Sequence, residues 1–366
     1  MIDVPLVDHH CHGVVTRDLE RAEVEAMLTE ADGPGLAGTL FDSQLGFALR
    51  RWCAPLLDLE PHAPAEVYLA RRAELGAAEV NRRLLAATGI GGFLVDTGYV
   101  PEPITSPDEL AALAGGTARE VVRLEAVAEE VLGGGGTTEG FADAFRERLA
   151  ERCAHAVGVK SIAAYRAGLA LEGARPSDAE VARAAGALLG AGARPRVADP
   201  VLHRFLVWCG IDLGLPVQFH VGYGDADVDL HRGDPLLLTD LLRATEPAGV
   251  PVMLLHNYPF HRNAGFLAQV FGHVFVDVGL ATHNLGQRSG ALLRELLELA
   301  PFGKVLFSTD AFGLAELYLV STALFRRALG RFLDAGIADD DWTAHDAERV
   351  AAAIGAGNAR RAYRLG

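Results

Sequence analysis

The feature that most constrains this chain is a repeated alternation of short apolar runs with longer amphipathic stretches. Strands that are apolar throughout and that alternate with helices are typical of a parallel sheet covered by helices. Eight such units predict an α/β fold, a closed (β/α)8 barrel of the TIM type. The runs predicted as strands lie at residues 4–8, 91–98, 121–127, 157–164, 215–224, 250–257, 273–281 and 304–311.

An open doubly wound sheet is the competing fold, and it needs a glycine-rich phosphate turn after its first strand. Here that turn is HHCHGVV, and the four glycines at 133–136 follow a helical stretch, where they indicate a linker. The 366 residues would suffice for two average domains, but a barrel uses about 250 residues as one domain. We therefore predict one domain over 1–366, in which 16–88 is a helical insertion over the barrel mouth, because it exceeds a βα connection.

The strongest local motif is Asp8-His9-His10-Cys11-His12 at the end of the first predicted strand. Side chains two residues apart on a strand point the same way, so His10 and His12 are expected to project together. Two neutral imidazoles on one face can bind a single metal ion. Asp8 has the same phase and could orient a ligand. His9 is expected on the opposite side, in a structural role.

Three further polar residues end apolar runs: His220 ends PVQFH, His256 ends VMLLH and Asp310 ends VLFSTD. The carboxyl ends of the strands carry the active site in a (β/α)8 barrel. A single histidine at a strand end is often structural, but five such groups on one rim predict a metal site.

Lys160 lies within the apolar run VGVKSI. Burying an unpaired lysine is costly, so the side chain either snorkels to solvent or has a function. Two functions fit. It could carry a CO2-derived carbamate that bridges two metal ions, or it could remain an ammonium group and, with Arg166, hold a substrate carboxylate.

Other polar residues are expected near the same rim. Gln218 is in phase with His220, Tyr223 follows the fifth strand and His283 follows the seventh, so all three are candidates for substrate binding. Asp96 ends the second run and is expected behind the metal ligands. Arg123 and Glu125 alternate on the third predicted strand and are expected to pair with each other.

Taken in order, the motifs around Asp8, His10, His12, Lys160, His220, His256 and Asp310 resemble the amidohydrolase superfamily over nearly the whole chain. The segments VGVKSIAAYRAGL, QFHVGYGDADVDL, LLHNYP, KVLFSTDA and GAGNARRAYRL are similar to its amidohydrolase 2 branch. They are most similar to the nodulin-related amidohydrolase-like domain that some fungal and plant proteins fuse to a glutamine-synthetase-like domain.

The resemblance implies that His10, His12 and His220 are metal ligands, with Asp310 beside the metal as a ligand and as the general base and then general acid. It implies that His256 either binds a second metal ion or polarises the scissile carbonyl. Zn2+ is the expected ion, with Mn2+ or Fe2+ as alternatives. One ion is favoured, because Lys160 and Arg166 together suit anion binding; two ions would require a carbamate on Lys160.

Composition limits the partners. Lys plus Arg number 33 against 48 Asp plus Glu, and the net charge of −15 argues against nucleic acid and against anionic membranes. A small-molecule substrate is therefore expected, with a homo-oligomer as an open alternative. The amino-terminal residues resemble no signal peptide, and no apolar window of about 18 residues lacks charges. Four widely spaced cysteines suit a reduced, cytoplasmic protein.

We expect a metal-dependent hydrolase that cleaves an amide-type C–N bond of a small carboxylate-bearing substrate. One alternative is a metal-dependent decarboxylase of a small, for example aromatic, acid, since the same branch resembles such lyases. A second alternative is a non-enzymatic metal-binding or signalling protein. A missing ligand would favour it, and every expected ligand is present.

Overall fold

The architecture was analysed in a computed structural model, which describes residues 4–31, 38–190 and 195–366. Within these residues, seven parallel strands form one sheet whose spatial order follows the chain. The strands are β1 Leu6–Cys11, β2 Ile90–Asp96, β3 Thr117–Arg123, β4 Gly158–Ser161, β5 Val217–Val221, β6 Val252–His256 and β7 Val274–Val276. A parallel order of this kind requires a crossover after each strand, as the alternating pattern predicted.

An extended segment at residues 305–313 occupies the position predicted for the eighth strand. Val305 forms a parallel bridge with Val276 of β7. On the other side, the amide of His9 donates to the carbonyl of Phe307 (3.1 Å), and the amide of Asp310 donates to the carbonyl of His10 (3.0 Å). The segment thus lies between β7 and β1. This arrangement is consistent with a TIM-type barrel, although 305–313 is too irregular to form a regular strand.

Helices cover the sheet. In the described residues they are α1 Arg21–Ala26, α2 Gln44–Trp52, α3 Ala65–Ala86, α4 Pro107–Ala114, α5 Leu124–Gly133, α6 Phe141–Arg152, α7 Asp178–Gly190, α8 Pro200–Asp212, α9 Thr239–Thr245, α10 His261–Val270, α11 Gly279–Asn284, α12 Ser289–Leu296, α13 Ala315–Ala338, α14 Ala344–Ala352 and α15 Asn358–Ala362. Side-chain hydrogen bonds help to fix where a helix begins. Ser177, directly before α7, exchanges hydrogen bonds with Glu180. No helix in the described ranges combines the length and the apolar character needed to cross a bilayer.

The observed strands are mostly shorter than predicted, and in two cases a helix begins within the predicted strand. The third strand ends at Arg123, and the predicted strand residues 124–127 begin α5 instead. The segment Leu-Glu-Ala-Val-Ala-Glu-Glu is rich in residues that favour helix, which outweighs the apolar run. Likewise, β7 is only three residues long, and residues 279–281 of its predicted range belong to α11.

The smaller of two apolar clusters lies inside the curved sheet. It joins side chains from β1, β2, β3, β6, β7 and the 305–313 segment to the C-terminal helices. Side chains from the first and last strands can meet in one cluster only if the sheet curls round. Its members include Val7, Leu94, Val121, Met253, Leu255, Phe275, Leu306, Ala359 and Tyr363. The larger cluster packs the helices against the outside of the strands. All four cysteines are buried and unpaired.

Candidate functional site

A cavity of about 400 Å³ opens where the strands end. Its lining combines three kinds of side chain: the predicted metal-type groups His10, His12, His220 and Asp310; the basic groups Arg123, Lys160, Arg166 and Arg196; and the acidic groups Glu30, Asp225 and Asp227. The structure therefore brings residues from the two ends of the sequence to one place. His256 is fully buried directly behind this lining, with its Nε2 3.4 Å from Oδ2 of Asp310.

His10 is held in one tautomer. Its Nδ1 lies 2.9 Å from Oε1 of Gln218, an oxygen that can only accept, so Nδ1 carries the hydrogen. The amide nitrogen of Gln218 donates to the carbonyl of His9 (2.7 Å) and to the hydroxyl of Tyr363 (2.8 Å), which fixes the orientation of the amide. The Nε2 lone pair of His10 consequently faces the cavity. Burial, with help from the charge of Lys160, lowers the pKa of His10 to about 3, so the ring is neutral.

His12 is oriented in the same way by a backbone group. Its Nδ1 donates to the carbonyl oxygen of Asp96 at 3.1 Å, which leaves the Nε2 lone pair free. That Nε2 lies 3.5 Å from Oδ1 of Asp310. Metal-binding histidines commonly have their other ring nitrogen fixed by an acceptor of this kind.

The ring nitrogens of His10 and His12 both lie close to one oxygen of Asp310. Nε2 of His10 lies 3.0 Å from the same Oδ1. Burial would raise the pKa of Asp310, but His256, His10 and His12 together hold it well below its ordinary value of 3.8. One carboxylate oxygen and two ring nitrogens, all of which can serve as metal ligands, therefore converge on one point. Electron-pair donors in such contact repel each other unless a cation lies between them, so these residues fit a metal ion.

His256 and His220 complete the histidine cluster. Both ring nitrogens of His256 are buried and lack a hydrogen-bond partner among the described residues, an arrangement that a metal ligand would explain. Nε2 of His220 donates to the carbonyl oxygen of Tyr223 at 3.1 Å, so its Nδ1 carries the lone pair. The ring centroids of His220 and His256 are 4.7 Å apart.

Two sets of side chains place their ligand atoms within 4.8 Å of one another: His10, His256 and Asp310, and His10, His12 and Asp96. Asp96 is already used, since Arg123 donates to its Oδ2 at 2.6 Å and the amide of Gly98 donates to its Oδ1 at 2.8 Å. Asp310 is therefore the carboxylate available to a metal ion. His220 belongs to neither set, while His256, predicted for catalysis or a second metal ion, stands nearer to the predicted ligands.

Lys160 is buried rather than snorkelling, with only 2% of its surface exposed. Its Nζ lies 3.1 Å from Nε2 of His10 and donates to that lone pair. Burial lowers the pKa of Lys160 to about 8, against the opposing charges of Asp96 and Asp310. The neutral amine is therefore accessible near neutral pH, and Lys160 competes with a metal ion for the same nitrogen of His10.

Arg166 lines the cavity and is only loosely paired. Its Nη1 is buried without a hydrogen bond and forms an ion pair with Oε1 of Glu129 at 3.6 Å. Arg196 lines the same cavity, but its Nη2 lies 2.5 Å from Oδ2 of Asp227. Of these two arginines, Arg166 therefore has more capacity to bind an anionic ligand.

The structure places the three predicted substrate contacts in different surroundings. His283 lines the cavity, and its Nδ1 is bonded to Oγ of Ser321 at 2.8 Å. Tyr223 lines an adjoining cavity of about 350 Å³ and donates its hydroxyl to the carbonyl of Leu280 at 3.3 Å. The prediction for Gln218 is wrong in its geometry, because both ends of its amide are bonded to protein groups beneath the cavity.

The predicted pair of Arg123 and Glu125 is also wrong. Arg123 binds Asp96, whereas Glu125, now in α5, accepts hydrogen bonds from Oγ of Ser161 (2.7 Å) and from Nδ1 of His203 (3.1 Å). The reason is the early start of α5, which breaks the strand alternation between positions 123 and 125. Asp96 does lie behind His12, as predicted, through its backbone carbonyl.

The first strand departs from strict alternation. Its pairing with β2 shifts register between Asp8 and Cys11. His9 is fully buried, and its ring contacts Oδ2 of Asp277 (2.9 Å) and the hydroxyl of Tyr363 (3.0 Å), the same hydroxyl that Gln218 binds, which is consistent with the structural role expected for it. Asp8 instead accepts from the hydroxyl of Thr309 at 2.6 Å and so ties β1 to the segment that carries Asp310.

Glu30 was not predicted from the sequence. It lies beyond α1, within the 16–88 stretch, and lines the site cavity. Burial, together with the charges of Asp310 and Asp225, raises the pKa of Glu30 to about 7. No strand end or motif marks this residue, so only the folded position of its loop reveals it.

Three residues at the site adopt the left-handed backbone conformation, which is unfavourable for residues other than glycine: His256 (φ 67°), Asn257 (φ 60°) and Asp310 (φ 51°). Asn257 compensates by donating to the carbonyls of Leu254 and Asp277. Backbone strain of this kind is concentrated at functional sites, where the surrounding structure holds the residues in place.

Comparison with known proteins finds a matching family model and a curated relative. A family model described as amidohydrolase matches residues 125–365. The chain is 27% identical over 402 residues to Protein fluG of Emericella nidulans, covering 99% of this chain and 46% of that protein. The chain therefore spans less than half the length of this curated relative.

Solved structures agree with the fold. A candidate metal-dependent hydrolase from Lactobacillus casei ATCC 334 is 31% identical, with a TM-score of 0.87 over 99% of this chain and 95% of that one. A uronate isomerase from Bacillus halodurans C-125 has a TM-score of 0.67 at 13% identity, over 99% and 94% of the two chains. At that identity the likeness concerns the fold alone.

Proposed function

Because this chain belongs to the amidohydrolase family, in its amidohydrolase 2 branch, and is an enzyme with the fold of metal-dependent hydrolases, we propose that it hydrolyses an amide-type C–N bond of a small carboxylate-bearing substrate. The contact that carries this proposal is the convergence of Nε2 of His10 and Nε2 of His12 on one oxygen of Asp310, at 3.0 and 3.5 Å. All three atoms offer electron pairs, and a cation is what such a cluster accepts.

We propose His10, His12 and Asp310 as the ligands of one divalent ion, with Zn2+ expected and Mn2+ or Fe2+ as alternatives. His256 and His220 remain the further ligand candidates, His256 because neither of its buried ring nitrogens has a hydrogen bond among the described residues. When bound, such an ion supplies a Lewis acid that acidifies water and polarises a carbonyl group.

Asp310 is the proposed proton carrier. Its depressed pKa keeps it ionised at neutral pH, as a general base requires. The carboxylate removes a proton from the attacking water, whose oxygen bonds to the amide carbon. The C–N bond then breaks, and Asp310 returns that proton to the leaving nitrogen. The products are a carboxylic acid and an amine, and Asp310 ends in its starting form.

Arg166 is the proposed partner of the substrate carboxylate. Arg166 lines the cavity, and its buried Nη1 has an ion pair with Glu129 at 3.6 Å but no hydrogen bond, so the guanidinium retains capacity to donate to a carboxylate oxygen. Lys160, as an ammonium group, would add a second positive charge on the same side. A cavity of about 400 Å³ suits a small molecule rather than a polymer.

The alternative role of Lys160, as a carbamate bridging two ions, is tested by metal content. A ratio near one ion per chain, with Lys160→Met retaining it, supports the cationic role. A ratio near two that falls in Lys160→Met would contradict the single-ion proposal.

The stretch 16–88 is proposed as a helical cover of the mouth of a closed (β/α)8 barrel, within one domain over 1–366. Residues 26–31 and Leu45 of this stretch line the cavity. A cover built from loops and short helices would also restrict water entry once a substrate is bound.

The reaction class is tested with isotopically labelled water. The metal-loaded enzyme is incubated in H2¹⁸O with a panel of N-acyl amino acids and their matched esters and free acids. One ¹⁸O atom in the new carboxylate, absent with Asp310→Asn, supports amide hydrolysis. Release of CO2 from a free acid without ¹⁸O in the organic product would overturn it in favour of a decarboxylase.

A further inference from the structure

A second cavity, of about 640 Å³, lies outside the barrel between α2, the turn Ala54–Leu57 and α13. We call it the Trp52 groove. Its floor is Leu319, Thr322 and Ala323 of α13, and Trp52, Pro55 and Leu56 stand on its walls. It shares no lining residue with the site cavity. Its volume lies in the range of small-molecule sites, about 300–1,000 Å³.

The groove is apolar with a cationic edge. The guanidinium group of Arg51, a lining residue, lies 5.0 Å from the centre of the Trp52 ring, and that of Arg327, which lies outside the lining, is 6.0 Å from it. Among the described residues, no carboxylate lies within 4.0 Å of the guanidinium group of Arg51. Burial and the charges of Arg331 and Arg51 lower the pKa of Arg327. On a chain with a net charge of −15, this is a local excess of positive charge.

Thr322 supplies an unused polar group on the floor. The residue is 3% exposed, and its Oγ1 is buried without a hydrogen-bond partner among the described residues. Buried hydroxyls are normally bonded, and leaving one unpaired is costly. Thr322 lines the groove, so a ligand oxygen that reached this hydroxyl would satisfy it.

We propose that the Trp52 groove binds a small organic anion with a flat apolar body, of the arylcarboxylate class. The aromatic body would pack on Trp52 and Leu319, the carboxylate would meet Arg51, and one oxygen would accept from Thr322. Apolar walls with a few convergent polar groups are the usual composition of small-ligand sites. The groove is independent of the proposed hydrolytic reaction.

The test uses 1-naphthylacetate as the probe and 1-naphthaleneethanol as its uncharged analogue, with binding to the metal-loaded enzyme followed by calorimetry. Ala323→Phe fills the floor of the groove and removes no charge. Arg51→Gln removes one edge cation. Arg166→Met is the matched control, because it removes a cation from the site cavity instead.

The proposal predicts saturable binding of 1-naphthylacetate that persists in Arg166→Met and disappears in Ala323→Phe. It also predicts that affinity is about tenfold or more weaker for the alcohol, and for 1-naphthylacetate in Arg51→Gln. Binding lost only in Arg166→Met would place the probe in the site cavity and overturn the proposal. Absence of binding at millimolar probe would also overturn it. Circular dichroism and melting temperature show whether Ala323→Phe is folded. If Ala323→Phe is not folded, the comparison of Arg51→Gln with Arg166→Met decides: weaker binding of the probe in Arg51→Gln alone supports the proposal, and weaker binding in Arg166→Met alone contradicts it.

Discussion

Gln218 accepts a hydrogen bond of 2.9 Å from Nδ1 of His10, and this bond determines which nitrogen of the imidazole faces Asp310. The amide belongs to β5 and the imidazole to β1, so two strands far apart in sequence share the task. A residue expected to touch substrate is instead part of the support beneath the site.

Gln218→Leu keeps the size of the side chain but removes the acceptor. Freed from it, His10 can take the other tautomer or rotate, and metal affinity should fall by about 10- to 100-fold. Competition with a chromophoric chelator measures the dissociation constant. An unchanged constant would mean that Gln218 does not orient His10.

His10→Ala and His12→Ala should each lose bound metal after dialysis, because each substitution removes one of the two ring nitrogens that lie beside Oδ1 of Asp310. Elemental analysis gives the metal content per chain. His62→Ala is the control, since this histidine lines the Trp52 groove and not the site cavity. Full occupancy in both site variants would remove these residues from the ligand set.

Asp310→Asn should largely keep its metal and lower both kcat and kcat/KM by about 10²- to 10⁴-fold, the usual scale for a lost general acid–base group. The amide retains an oxygen ligand but cannot take a proton from water. Initial rates and metal content are measured on the same sample. If turnover stayed within a few-fold of the parent, another group, first His256, would have to carry the proton.

Arg166→Met should raise KM by about 10- to 100-fold with a smaller change in kcat, because it removes a charged hydrogen bond formed equally in the bound and transition states. The matched variant is Arg196→Met, whose guanidinium is already paired with Asp227 at 2.5 Å. It should have the smaller effect. Equal effects of the two variants on KM would argue against a specific role for Arg166.

Glu30→Gln should change how stability depends on pH. The pKa of Glu30 rises from 4.5 to about 7 on folding, so the folded chain holds an extra proton between these values. That contribution is complete below pH 4.5 and is lost as pH rises through about 7. The glutamine cannot titrate, so the variant should gain stability relative to the parent across this window.

Urea midpoints of the metal-free proteins at several pH values measure the effect of Glu30→Gln. Glu60→Gln, at an exposed position away from the cavity, serves as the control. A parallel pH dependence of parent and Glu30→Gln would mean that Glu30 titrates normally.

Much of this arrangement could be predicted from sequence, because polar residues at the ends of apolar runs are conspicuous. His10, His12, His220 and Asp310 do line one cavity, with His256 directly behind them, and the parallel order follows from the alternation of strands and helices. Their individual roles remain predictions.

What could not be predicted depends on contacts between distant segments. The register shift after Asp8 has no signature in the local sequence, and the contacts of His9 with Asp277 and Tyr363 join segments that are far apart in the chain. Glu30 lies in a loop whose position depends on the packing of α1 to α3, and Gln218 was assigned by strand phase alone. Phase predicts which way a side chain points, but not what it meets.

The hydrogen bond between Tyr363 and His9 spans 354 positions of the chain. The same hydroxyl receives the amide of Gln218, so the support of His10 includes a residue of the last turn. During synthesis, therefore, the amino-terminal histidines emerge long before the group that fixes them. A nascent chain would hold a loose, low-affinity form of the site, and high affinity for metal would develop only as the final helix docks.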